Sequence, residues 1–192
     1  MHDLLPSGGH VRKLWIGEVD AYRDHLLRLD PESRHRRFSG AVSDEIIARH
    51  AASITDFGVV VYGFFLDGVL RGAAELRPAG AFADEAEAAF SVEAPWQSVG
   101  VGTALLEHTL LTARNRGIKR LQMQCLAENR RMQQLARKFA AEFSFDFGSV
   151  VGEVTAQRST GMSLLREWVS DAYGAVEAVL DLQANTLRAN QA

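Results

Sequence analysis

Gln97-Ser98-Val99-Gly100-Val101-Gly102-Thr103-Ala104 stands behind a strand-like apolar run, Ala88 to Val92, and opens a long helical pattern. Two glycines at such a junction let the backbone come close to a bulky anion. Lacking a Cβ, Gly100 and Gly102 can turn their amides outward, and the helix adds the positive end of its dipole. A phosphate-bearing ligand fits such a turn, and plain packing or capping is the other use of the same glycines. Two familiar phosphate loops do not match. A Walker loop needs Lys and then Ser or Thr after its last glycine, whereas Gly102 is followed by Thr103-Ala104. A dinucleotide fingerprint needs a small residue where Leu105 stands and an acid closing the next strand, Lys119 to Cys125, which has none.

Composition bounds the setting of this turn. With 192 residues and 47% hydrophobic content the chain can bury a substantial core, and one compact domain with an appendage is expected. A net charge of −3 argues against nucleic acid as the main partner. No run nears the roughly 20 apolar residues that span a bilayer, and Met1 to Pro6 lacks the basic and apolar parts of a secretory signal. The single cysteine, Cys125, can form no internal disulfide, which fits a reducing, cytoplasmic compartment.

Periodicity predicts a strand over 10–16, a helix over 19–29 ended by Asp30-Pro31, a short helical turn over 33–38 and a helix behind a Ser43 cap. Strands over 58–65 and 69–76 are joined by Leu66-Asp67-Gly68, a hairpin signal, and 87–92 completes an antiparallel meander. A helix over 100–116 closed by Gly117, a strand over 118–125, a helix from Asn129 to about residue 141 and strands over 143–147 and 150–155 follow. Residues 159–188 read as an extra helical segment carrying Leu164, Leu165, Trp168, Val169, Ala172, Val176, Val179 and Leu180. This stripe either packs back on the domain or meets the same helix in another subunit, and a break near Tyr173-Gly174 allows both.

Gln97-x-x-Gly100-x-Gly102 resembles the acetyl-CoA signature Q/R-x-x-G-x-G/A of the GNAT (GCN5-related N-acetyltransferase) superfamily. The likeness extends to Gly117-Ile118-Lys119-Arg120-Leu121, a strand, and Glu128-Asn129-Arg130-Arg131-Met132 opening another helix. Leu29-Asp30-Pro31-Glu32-Ser33-Arg34 and Arg37-Phe38 resemble the GNAT domain of bacterial protein lysine acetyltransferases. Together these cover most of residues 10–155. The resemblance implies an α/β (α+β) GNAT fold over 1–158, a mixed, mostly antiparallel sheet of six to seven strands flanked by helices, with a C-terminal helical extension over 159–192. It implies acetyl-CoA as acyl donor and an amine acceptor, a protein lysine or a small molecule. Val99, Gly100, Val101, Gly102 and Thr103 would supply amides or a hydroxyl to the pyrophosphate. Val92 would pair with the pantetheine amides, and Asn129 would contact the CoA arm as well as cap its helix. Arg130 and Arg131 read as a solvated helix face, one of them available to screen CoA phosphates.

Acetyl transfer requires that the amine lose a proton, that the developing oxyanion meet a donor and that the departing thiolate gain a proton. Ala86-Glu87-Ala88-Ala89-Phe90 resembles the stretch that carries the base in the lysine acetyltransferases, so Glu87 is the first candidate. An ordinary solvated carboxylate in the run Asp84 to Glu87 is the alternative, with Glu85 on the same strand face as nearest substitute. Two departures stand out: Ala136 replaces the family's frequent Tyr, and Ala140-Ala141 replace Gly-Phe. A chain that kept the cradle without catalysis, an acyl-CoA-binding sensor or interaction module, is the competing function. Cys125 reads as a buried thiol, the six histidines show no metal-ligand spacing, and the Arg34, Arg36, Arg37 cluster reads as a solvated helix face or as a flank for an acidic acceptor or CoA phosphates.

Overall fold

The computed structural model describes residues 5–80, 83–126, 128–139, 142–146, 149–155 and, within 162–179, residues 162, 164, 165, 167, 169–175, 178 and 179. Seven strands, β1 (His10–Lys13), β2 (Val60–Leu66), β3 (Val69–Pro78), β4 (Glu85–Val92), β5 (Arg120–Leu126), β6 (Glu142–Asp146) and β7 (Ser149–Thr155), form one sheet ordered β1-β2-β3-β4-β5-β7-β6. Every neighbouring pair is antiparallel except β4 and β5. The helices are α1 (Val19–Arg28), α2 (Pro31–Phe38), α3 (Asp44–Ala52), α4 (Val101–Asn115) and α5 (Arg130–Lys138). This is the mixed, mostly antiparallel α/β architecture that the sequence implies.

Local chemistry explains the boundaries. Asp67 and Gly68 both take positive φ, 52° and 72°, which the two-residue β2–β3 hairpin turn requires. Asp30-Pro31 does more than end α1. The Asp30 side chain accepts from the Ser33 amide at 2.9 Å and Pro31 fills the first helical turn, so the short turn expected over 33–38 is a full helix from Pro31. Gly117, at φ 75°, follows the end of α4, as expected.

Strand alternation splits the core across the sheet. One face packs Tyr62, Phe64, Leu76, Ala86 and Ala88 against Leu105 and Leu106 of α4. The other packs Val61, Phe65 and Ala73 against Tyr22 and Leu26 of α1 and Ile47 of α3. Each fully buried leucine contributes about 1.5–3 kcal/mol relative to exposure.

The described part of the C-terminal segment is helical, and its polar side docks on β1 and α4. Glu167 accepts from Lys13 Nζ at 3.0 Å, Thr112 Oγ1 at 2.7 Å and Asn115 Nδ2 at 2.5 Å. Residues 171–175 are helical without interruption, so the expected break at Tyr173-Gly174 is absent. Gly174 lies so close to Arg12 that a Cβ there would meet the Arg12 Cβ at 2.9 Å. Leu164, Leu165, Val169 and Val179 of the apolar stripe stay exposed, as do Met162 and Tyr173 beside it. Trp168, Val176, Leu180 and the Ala140-Ala141 departure lie outside the described residues.

α1 is also pinned beneath β4 by a buried polar cluster. His25 is fully buried, with Nε2 2.9 Å from Ser91 Oγ and Nδ1 3.3 Å from Glu93 Oε1. Glu93 in turn accepts from Arg28 Nε at 2.9 Å and Arg71 Nη1 at 3.0 Å. Burial lowers the His25 pKa and outweighs the opposing pull of Glu93. The native state therefore holds the imidazole neutral, while the unfolded chain takes up a proton near the ordinary pKa of about 6.5. This contribution to stability is complete above that value and declines as the pH falls below it. Thermal melting between pH 7.5 and 5 should show a steeper loss of Tm for the wild type than for His25→Gln, and equal slopes would contradict the assignment.

Candidate functional site

The site begins where the sheet comes apart. β4 and β5 pair in parallel over three positions only, Glu85 with Arg120, Ala86 with Leu121 and Glu87 with Gln122. The antiparallel register to β3 fixes which backbone groups are then left over. Glu93 N donates to Arg71 O at 3.0 Å and Ala79 N to Glu85 O at 3.0 Å, so odd-numbered β4 residues bond to β3. Ala88, Phe90 and Val92 turn their amides and carbonyls the other way, into the slot between the diverging strands.

The Gln97 to Ala104 stretch closes the end of this slot. It runs through left-handed backbone at Ser98 (φ 64°) and Gly100 (φ 90°) into α4, which has no side-chain cap. The first helical bond runs from Ala104 N to Gly100 O at 3.0 Å, which leaves the amides of Val101, Gly102 and Thr103 free of helical partners. Gly102 keeps α5 close, since a Cβ there would sit 3.4 Å from Leu135 Cδ2.

A cavity of about 550 Å³ lies over these groups, between β4, α2, α4 and α5. Val92, Gln97, Val99, Gly100, Gly102, Thr103 and Asn129 all line it. Val101 differs: its side chain is buried in the core, so it can offer a ligand only its amide. Asn129 caps α5, accepting from Met132 N at 3.2 Å, and also faces the cavity. Among the described residues four cationic side chains, Arg36, Arg37, Arg131 and Lys138, line the walls and no acidic one does. A cationic cavity at an open helix N-terminus, on a chain of net charge −3, favours a multiply charged anion.

Gln97 ties three elements around this cavity. Its Nε2 donates to Val92 O at 2.8 Å and to Ser33 Oγ at 3.1 Å, and its Oε1 accepts from Arg131 Nη1. Neither bridge was legible locally, because Ser33 lies 64 residues away and Arg131 34 residues away.

Glu87 is exposed and does not line the cavity itself. It projects from the α1–α3 side of β4, the side that also carries Ser91, which does line it. Among the described residues Glu87 makes no hydrogen bond or ion pair, while Glu85 is paired with Arg120. Beside Glu87 lies a buried cluster centred on Glu75. Glu75 accepts from Tyr22 OH at 3.0 Å, Arg37 Nη2 at 2.8 Å and Arg77 Nη2 at 2.6 Å, and its Oε2 is 2.8 Å from His50 Nε2. Burial pushes the Glu75 carboxyl up, but the His50 contact and the Arg37 charge win and hold it down at about 2.

Arg37 therefore corrects the solvated-face reading: its side chain is 8% exposed and paired to Glu75. Arg36 lines the cavity, and Arg34 turns away to Leu27 O at 2.7 Å and Asp44 Oδ1 at 3.1 Å. Cys125 is buried, and desolvation pushes its thiol pKa up, away from nucleophilic character. Ala136 is buried in the core and places no hydroxyl at the site. Among the described residues there is no cluster of three or more His, Cys, Asp or Glu suited to a metal, and no helix long and apolar enough to cross a membrane.

The model of the acetyltransferase (GNAT) family matches residues 20–141. No curated protein matches the chain. Among solved structures, the GNAT domain of S. lividans PAT superposes with a TM-score of 0.66 at 26% identity, over 77% of this chain and 90% of that one. A yncA acetyltransferase of Salmonella typhimurium, solved with its cofactor acetyl-CoA, gives 0.62 at 15% identity over 81% and 98%. The cAMP-binding acyltransferase of Mycobacterium smegmatis gives 0.58 at 20% identity, over 89% of this chain and only 52% of that protein. At the last two identities the likeness is one of fold.

A side chain at position 100 would have to adopt φ 90° beside the open amides. Left-handed backbone costs a non-glycine residue about 1–2 kcal/mol. Gly100→Val is expected to weaken coenzyme A binding by about tenfold or more in calorimetry, with the fold retained by circular dichroism. Unchanged affinity would remove Gly100 from the cradle.

Proposed function

The chain belongs to the acetyltransferase (GNAT) family, and on that premise we propose that it is an acetyl-CoA-dependent N-acetyltransferase, passing the acetyl group directly to a primary amine. The observation that carries this reading is the slot between β4 and β5, walled by unpaired strand amides and ending on an uncapped helix N-terminus. The residues present fit coenzyme A. The amides of Val101, Gly102 and Thr103 suit a pyrophosphate, and Arg131 and Lys138 add positive charge beside it. The amides of Phe90 and Val92 suit an extended, amide-bearing arm, as a further strand would.

Bound acetyl-CoA supplies an activated acetyl thioester. The protein's part is then to orient it and to manage protons. Glu87 is the proposed general base: it is ionisable, lacks a partner among the described residues and stands on the strand that borders the slot. Its place outside the cavity lining means that it draws the proton through a water or from an acceptor entering along the α2 side. The resemblance of residues 29–38 and 86–90 to bacterial protein lysine acetyltransferases supports a protein lysine as acceptor, and a small amine is the other class. A homodimer through the C-terminal helices would use the exposed Leu164, Leu165, Val169 and Val179.

Ala136, with no hydroxyl to offer the departing thiolate, favours a second reading, a non-catalytic acyl-CoA-binding sensor or interaction module. Release of CoA thiol from acetyl-CoA, measured with lysine peptides and with polyamines, separates the two. Turnover with either class supports the enzyme, and tight binding without thiol release supports the module. Glu87→Gln should lower kcat by about 10²–10⁴ with little change in the KM for acetyl-CoA. A variant as active as the wild type would move the base elsewhere.

A further inference from the structure

Two guanidinium groups stand next to Glu87, and both are turned away from it. Arg77 is its direct cross-strand partner in the β3–β4 register, yet its Nε and Nη2 lie 3.0 and 2.6 Å from Glu75 Oε1, and its Nη2 also donates to Ser53 Oγ at 2.9 Å. Arg37, reaching up from α2, gives Nη2 to Glu75 Oε2 at 2.8 Å. Burial works against the Arg37 charge, and the Tyr22, Glu75 and Glu87 groups together outweigh it, so Glu87 is already within electrostatic reach of Arg37. A carboxylate flanked by two arginines would ordinarily join them in an ion pair.

We propose that Glu75 is a positioning residue for the acetyl-transfer reaction: it sequesters Arg37 and Arg77 so that Glu87 stays unpaired and able to accept a proton. The proposal rests on the reading of Glu87 as base. A base locked into a bidentate arginine pair has lost both its basicity and its free lone pairs. Glu75 prevents this because its buried carboxylate offers the arginines a better site than the exposed Glu87. It is 3% exposed and has Tyr22 and His50 as further partners.

The other groups around Glu87 do not compete for this role. On β4 itself Glu85 is tied to Arg120 of β5. Gln122, opposite Glu87 on β5, is uncharged, and its neighbour in register on β7 is Glu153. On β3 the charged groups are Arg71, which is paired with Glu93 at 3.0 Å, and Glu75 and Arg77, with Asp56 joining Arg77 at 3.4 Å. From α1, α2 and α3 come Tyr22, Arg37 and His50, all three on Glu75.

Carbon-detected NMR titration of the Glu87 carboxyl, in the full chain without substrate, tests the proposal independently of turnover. In Glu75→Gln the freed arginines should close on Glu87 and lower its titration midpoint by about 1 unit or more. Adding Arg77→Gln to that variant should reverse much of the shift. An unmoved midpoint in Glu75→Gln overturns the proposal. Arg77→Gln alone keeps the question answerable if Glu75→Gln does not fold. Its Glu87 midpoint should match the wild type, and a rise of about 1 unit would show that Arg77 already pairs with Glu87, which also overturns it. With acetyl-CoA and a lysine peptide, the acidic limb of the kcat/KM profile should move down with the midpoint in Glu75→Gln. If the midpoint moves while the limb does not, the sequestration stands and Glu87 is not the base.

Discussion

Everything at the site depends on β4 and β5 pairing for three residues and then parting. A sheet that opens in its middle leaves backbone donors and acceptors without ladder partners, and buried groups of that kind are costly unless something else satisfies them. Gln97 takes one of them, the Val92 carbonyl, and Phe90 and Val92 line a cavity. Packing holds the gap apart. Gly72 on β3 lets Val92 and Val101 approach so closely that a Cβ there would meet them at 3.3 and 3.2 Å, which seats the start of α4 against the sheet. Leu135 of α5 closes over Gly102 from the other side. The slot is thus built by side chains from β4, α4 and α5, the first two seated over a glycine of β3.

Alternation along β4 gives one strand two separate tasks. Even-numbered residues send their backbone groups into the slot and their side chains into the α4-side core, as Ala86 and Ala88 do. Odd-numbered residues give their backbone groups to β3 and put side chains on the α1–α3 side, where Glu87 and Ser91 stand. The proposed ligand in the slot and the proposed base beside it would then be held by the same eight-residue strand, Glu85–Val92. Their separation follows from the pleat rather than from loop conformation, which is the stiffer way to fix it.

The sequence made the local parts of this arrangement readable and hid the distant ones. Gly100 and Gly102 announce a backbone cradle because the constraint sits within the residues themselves, and the Asp67-Gly68 hairpin is legible for the same reason. Asp30-Pro31 was half legible: the pair ends one helix, but its role in starting α2 depends on a cap to Ser33 that a terminator reading overlooks. Arg37 and Glu75 were not legible at all. They meet across 38 residues of chain, and a charged run such as Arg34 to Arg37 looks solvated until the sheet supplies a buried carboxylate beneath it. Ser33, Met132, Leu135 and Lys138 line the cavity through the same kind of long-range assembly.

The magnitudes of the two proton transfers explain why Ala136 is less damaging to the enzymatic reading than it first looks. A lysine amine of pKa about 10.4 is almost wholly protonated at pH 7, and freeing it costs about 4.6 kcal/mol at about 1.4 kcal/mol per unit. A thiol of ordinary pKa about 8.5 lies only about 1.5 units above that pH, so expelling it unprotonated forgoes about 2 kcal/mol. The base therefore answers the larger demand. In the proposed reaction the chain retains a carboxylate for that step, unpaired among its described neighbours, and lacks a side-chain hydroxyl at position 136 for the lesser one. A site so composed is suited to an acceptor that arrives as an ammonium ion, where the Glu87 charge also attracts it, and to a leaving group that needs no acid to depart.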